Sequence, residues 1–125
     1  MNSLRTFALS TLGALVLVSA TMAPARANDA SVSFHGATAT YTDATDNLCA
    51  RAIDDFSGLE DYAIAEIVND NGAIVFQKFD TEGGGQSCTG NLSIPEDRRY
   101  RLRVWDCSRV PGTDCGVSPS EYFYS

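Results

Sequence analysis

Histidine is almost missing from this chain, which has His35 and no other in 125 residues. Nucleophilic hydrolysis needs a base beside its nucleophile, no Gly-x-Ser-x-Gly elbow surrounds any serine, and a lone histidine is expected on the surface or satisfied within the fold. There is no Cys-x-x-Cys pair, so zinc lacks a plausible ligand set. No glycine-rich phosphate loop appears. Paired carboxylates such as Asp54-Asp55 and Glu60-Asp61 are present, but glycoside hydrolysis needs two of them facing across a cleft, and the chain is small for that. The expectation is a non-enzyme without a cofactor. Basic residues are also scarce, 9 against 16 acids, for a net charge of −7. Such a balance repels nucleic acid and anionic lipid and favours solubility.

Long apolar runs are lacking too, with one exception at the start. Met1–Arg5 carries one arginine and no acid, Phe7–Met22 is rich in Ala, Leu and Val, and Ala25 and Ala27 frame a small-residue cleavage site. This is the three-part pattern of a secretory signal peptide. A membrane span needs about 20 apolar residues, and Ser and Thr interrupt this run. The spacing therefore predicts residues 1–27 as a signal peptide and residues 28–125 as one secreted, extracellular domain, free of the membrane after cleavage and monomeric. Losing Arg5 and Arg26 with the leader takes the net charge to −9. All four cysteines, Cys49, Cys88, Cys107 and Cys115, lie in the exported part. An even count in a small exported chain reads as two disulfides. Of the three possible pairings, proximity favours Cys107–Cys115, which leaves Cys49–Cys88.

Convincing helical periodicity is absent from the exported part. Turn signals recur instead, with alternating apolar residues between them. Strands are predicted at 31–42 (Gly36 as a bulge), 48–53, 62–68, 73–79, 87–94, about 99–107 and 120–125. Asn71-Gly72 is the strongest hairpin signal, because both residues tolerate positive φ. Seven short strands at this spacing predict an all-β, seven-stranded immunoglobulin-like or fibronectin type III-like sandwich. Antiparallel second and fifth strands would set the start of one beside the end of the other. Bridging Cys49 to Cys88 then requires longer strands, a register shift or another strand order.

Within "LSIPEDRRYRLRV", residues Leu92, Pro95, Tyr100, Leu102 and Val104 resemble the entry to the sixth strand of a fibronectin type III domain. Pro95 and Tyr100 stand one residue further apart than in that pattern. The chain layout, with "LCARA" followed by "CTGNLSIPED", also resembles small exported actinobacterial β-proteins of unassigned function. These resemblances imply location and architecture, and no activity.

Four arginines crowd "RRYRLR". A period of two puts Tyr100, Leu102 and Val104 on one face, and Arg99, Arg101, Arg103 and Trp105 on the other. The first set is expected in the core, with the Tyr100 hydroxyl bonding back to the preceding turn. The second is expected as a solvated ribbon paired with Glu66 across strands, with Trp105 stacked on Arg103. Arg101, Arg103 and Trp105 are candidate binding residues. So are Arg109 and Val110 in "CSRVPGTDC", a nine-residue ring if Cys107 pairs with Cys115. That ring is similar to the reactive loop of Bowman–Birk protease inhibitors, with a basic residue in third place, but without their paired prolines and with Asp114 added. A rigid loop loses little entropy on docking, and Arg109 would suit the acidic pocket of a trypsin-like protease. The acidic turns "DATDN" and "DDFSGLED" lack the order of a calcium loop and read as solvated turns. "NLS" at Asn91–Ser93 fits a glycosylation sequon. Expected partners are an extracellular protein or a glycan.

Overall fold

The computed structural model describes residues 28–52, 61–81, 85–108 and 115–125. The expected signal peptide (1–27), Asp54, Asp55 and Glu60, and the candidate site residues Arg109 and Val110 lie outside the described residues. The chain is all-β, in two antiparallel sheets. Its strands are β1 (Ala30–Phe34), β2 (Ala37–Thr42), β3 (Asn47–Arg51), β4 (Asp61–Asn69), β5 (Ile74–Asp80), β6 (Ser87–Asn91), β7 (Arg99–Ser108), β8 (Gly116–Val117) and β9 (Glu121–Tyr124). One sheet runs β1-β2-β3-β6. The other runs β5-β4-β7, with β8 and β9 both paired to the far side of β7.

The expected seven strands are thus nine among the described residues, and two local signals account for the difference. The first expected strand is a hairpin. His35 (φ 48°) and Gly36 (φ 96°) both adopt left-handed conformations and close a two-residue turn in which Phe34 pairs with Ala37. Positive φ at both turn residues matches the twist of a tight hairpin, and histidine is among the side chains that enter this region more readily. Gly36 is therefore a turn residue, not a bulge. The second addition is β8, two residues set beside Trp105 and Asp106.

The β4–β5 turn is where "NDNG" placed it, with different chemistry. Only Gly72 has positive φ (84°). Its N–H donates to the Asn69 carbonyl at 3.0 Å, and the Asn69 side-chain oxygen accepts from the backbone N–H of Asn71 (3.0 Å) and Ala73 (2.9 Å). Asn69, not Asn71, organises this turn, as asparagine does when it bonds backbone just ahead of it.

The core lies between the sheets. β7 alternates as its sequence requires, with Tyr100, Leu102 and Val104 buried, facing Ala63, Ala65 and Ile67 of β4 and Ala39, Tyr41, Leu48 and Ala50 of the opposite sheet. Rings of Tyr41, Tyr100 and Phe123 meet at one end, with Phe123 4.5 Å from Tyr41 and 5.8 Å from Tyr100. The Tyr100 hydroxyl donates to the Pro95 carbonyl at 3.3 Å, tying β7 to the turn before it. Burial holds the Tyr41 phenol well above its ordinary pKa, helped by Asp46, whose carboxylate accepts a hydrogen bond from the hydroxyl at 2.8 Å. One buried carboxylate went unnoticed in the sequence. Asp80, at the end of β5, accepts from the Ala52 N–H (2.8 Å) and the Ser87 hydroxyl (3.0 Å), and so links one sheet to the other.

Both expected disulfides form, and each lies within a sheet. Cys49 and Cys88 are directly opposed on β3 and β6, with Cα atoms 4.1 Å apart. β3 begins two residues before Cys49, so this cysteine stands in the middle of its strand and meets Cys88 near the start of β6, with Ala50 against Ser87 in the same register; a register shift lies between Asn47 and Cys49. Cys107 and Cys115, 4.3 Å apart at Cα, continue the register of Asp106 and Gly116. Disulfides of this kind belong to oxidising compartments. Among the described residues, no helix is long and apolar enough to cross a membrane.

Candidate binding face

Opposite the core, the β5-β4-β7 sheet turns a second face outward. β4 and β7 are paired over nine residues, so Glu66 stands against Arg103, Ile64 against Trp105 and Val68 against Arg101. On the other flank of β4, Glu66 faces Gln77 and Ile64 faces Phe79. β9 adds Tyr122 beside Arg101 and Tyr124 beside Arg99.

Glu66 organises the middle of this face. It is 3% exposed, although its strand position points it away from the core. One oxygen accepts from the Gln77 amide at 2.6 Å; the other accepts from the Arg103 guanidinium (2.5 Å) and the Trp105 indole N–H (2.8 Å). Burial alone would raise its pKa, but the bonds from Trp105, Gln77 and Arg103, with the Arg103 charge, outweigh that and hold the carboxyl below its usual range. The Arg103 guanidinium also lies 5.6 Å from the Trp105 ring centre. Both contacts expected for this strand, Glu66 with an arginine and Trp105 with Arg103, are present.

The three arginines of the face differ in their partners. Arg103 is tied to Glu66. Arg99 forms an exposed ion pair with Asp70 at 3.1 Å and lies 5.1 Å from the centre of the Tyr122 ring. Arg101 has no hydrogen-bond or ion-pair partner among the described residues. Its guanidinium reaches toward the β4–β5 turn, where a Cβ at Gly72 would lie 3.9 Å from a terminal nitrogen. Val68, opposite Arg101, is only 1% exposed, in keeping with an arginine stem covering apolar surface.

Every large apolar residue that stands exposed among the described residues belongs to this sheet: Ile74, Val75 and Phe79 on β5, Val117 on β8, and Tyr122 and Tyr124 on β9. Tyr122, at 57% exposure, is the most open of them. Sequence reasoning found Arg101, Arg103, Trp105 and Glu66 but missed Gln77, Asp70, Tyr122 and Tyr124. The alternation of "EYFY", with Phe123 inward, was the available signal for the two tyrosines; Gln77 and Asp70 depend on register and turn geometry that one strand does not encode.

Around one end of the face, a cleft of about 630 Å³ opens between the β4–β5 turn and the segment leading into β7, lined in part by Asp70, Phe76, Pro95, Arg98 and Tyr100. The remaining candidates have structural roles. His35 is exposed at the tip of its turn, stacked on Phe34 with ring centres 4.1 Å apart. In "DATDN", Asp46 takes a left-handed conformation and holds Tyr41, while the Asp43 N–H donates to Asp29. Among the described residues, no three His, Cys, Asp or Glu side chains are grouped to hold a metal ion.

The fold and face define a disulfide-stapled, two-sheet all-β protein with an uncovered arginine- and tyrosine-bearing sheet surface. Compared with protein-family models, with curated proteins and with solved structures, the chain matches none.

Proposed function

We propose that this protein is a secreted, non-enzymatic binding module on an immunoglobulin-like or fibronectin type III-like plan. The strand order supports that plan: β2-β3-β6 in one sheet and β5-β4-β7-β9 in the other follow the fibronectin type III arrangement, with β1 as an added edge strand and β8 as a short addition beside β7. The Tyr100 bond to Pro95 resembles the tyrosine corner of such sandwiches and supports the same plan. The observation that carries the binding role is the outer face of the β5-β4-β7 sheet, where exposed tyrosines and an unpaired arginine stand on a frame fixed by Glu66. Tyr, Trp and Arg are the side chains that dominate binding energy at interfaces. The partner is an extracellular protein or a glycan. The test is retention of extracellular proteins and envelope glycans on the immobilised chain, compared with a Tyr122→Ala/Tyr124→Ala variant. Loss of retention in the variant, with its melting temperature unchanged, is expected; equal retention would remove the face from the proposal.

The Cys107–Cys115 bond favours a second reading, a serine protease inhibitor presenting Arg109 and Val110 on the nine-residue ring. Trypsin titrated with micromolar protein decides it: inhibition abolished by Arg109→Ala supports the ring, and full trypsin activity disposes of it.

A further inference from the structure

We infer that the outer face docks an acidic protein surface, with a partner carboxylate taken by Arg101 beside Tyr122; this rests on the binding role proposed above. Three observations lead there. First, the charges on the face are almost all internally satisfied, Arg103 by Glu66 and Arg99 by Asp70, which leaves Arg101 as its uncommitted cation. Guanidinium takes carboxylate in a two-pronged geometry, so the missing complement is an anion. Second, Arg101 is not at the rim. It is half-buried in the row between Arg99 and Arg103, with Val68 on one side and Tyr122 on the other, as in interface centres where a charged group is enclosed by apolar neighbours. Third, the shape is that of a protein interface. Four strand positions spaced about 4.8 Å apart, along paired strands of nine and ten residues, give a surface on the order of 20 Å by 30 Å. It carries apolar side chains along both flanks: Ile74, Val75 and Phe79 on one, Val117, Tyr122 and Tyr124 on the other. That is about one partner's share of a small specific interface. A saccharide or small ligand suits a concavity, such as the cleft that Arg99 borders at the end of the face, rather than the open strand surface around Arg101.

The chain's net charge of −7 sharpens the orientation. An acidic partner is repelled by much of an acidic surface, and this face offers it a guanidinium that has no partner among the described residues. Complementarity of this kind governs specificity and encounter rate, and weakens with salt.

The test uses ¹⁵N-labelled protein titrated with poly-L-glutamate, and separately with polygalacturonate as a carboxylated glycan, followed by amide and side-chain N–H shifts. Poly-L-glutamate is expected to move Arg101 and Tyr122 and the Trp105 indole N–H, and to bind at least about tenfold more weakly to Arg101→Gln. Arg98→Gln, in the cleft, should leave this binding unchanged. Shifts confined to the cleft, equal or better binding of polygalacturonate, no shift with either polymer, or indifference to Arg101→Gln would each overturn the inference. An extracellular partner that is lost with Tyr122→Ala/Tyr124→Ala but retained by Arg101→Gln would leave the binding role standing and remove the acidic partner alone.

Discussion

Glu66 combines two properties that rarely coexist on the outer face of a sheet: it is charged, and it is buried. Its two oxygens take three donors from β5 and β7, so the carboxylate joins three strands at one point. Glu66→Ala removes the acceptor of the Trp105 indole and the Gln77 amide and leaves the Arg103 charge unpaired. Because Arg103 keeps some solvent access (27% for its side chain), the cost should be about 2–4 kcal/mol, read from urea denaturation at pH 7. The pH dependence follows from the same bonds. A carboxyl held below its unfolded pKa contributes stability that is present above the unfolded value and lost as pH falls through the folded one. The stability difference between the wild type and Glu66→Gln should therefore be largest near neutrality and shrink as pH drops below the ordinary carboxylate range. A difference that is constant from pH 7 to pH 3 would contradict this. The pairing of Glu66 with an arginine was legible in the sequence because both lie on polar positions of alternating strands. Its burial was not, since that depends on side chains from β5 and β7 closing over it.

At the scale of elements, β7 was the most readable part of the chain. Its alternation of arginine with Tyr, Leu and Val fixes one core face and one outer face whatever its neighbours are, because side chains on a strand alternate by geometry. The His35-Gly36 hairpin was not readable in the same way. Its flanks, "SVSF" and "ATATYT", form one unbroken β-rich run, and only the paired positive φ values divide it. β8 was invisible because two residues carry no period; its place depends on a contact between sheets. A Cβ added to Gly116 would lie 2.6 Å from a ring carbon of Phe34 on β1, so the glycine lets the edge of one sheet approach the ring of the other. Gly116→Val should destabilise the protein by about 1–3 kcal/mol through overpacking. Most of that penalty should disappear in a Phe34→Ala background, as a double-mutant cycle by thermal or chemical denaturation would show; additive penalties would place the strain elsewhere.

For the molecule as a whole, the two disulfides act on loops of very different length, with sequence separations of 39 and 8. If they stabilise chiefly by restricting the unfolded chain, removing Cys49–Cys88 should cost about 4 kcal/mol and removing Cys107–Cys115 about 2.5 kcal/mol. Paired Cys→Ala variants compared by equilibrium unfolding test that order, and a reversal would show that native-state packing around the buried Cys107 dominates.

The sequence by itself determined the all-β class, the presence of two disulfides, the inward and outward faces of β7 and the residues available for an interface, because alternation, turn chemistry and cysteine count are local properties. The tertiary structure alone decided which strands adjoin, which of the possible cysteine pairs stand directly opposed, and which arginine stays free. Arg99, Arg101 and Arg103 occupy equivalent positions along one strand. They differ only because Asp70 and Glu66 arrive beside two of them from β4 and its turn, and charge pairing across strands is set by register.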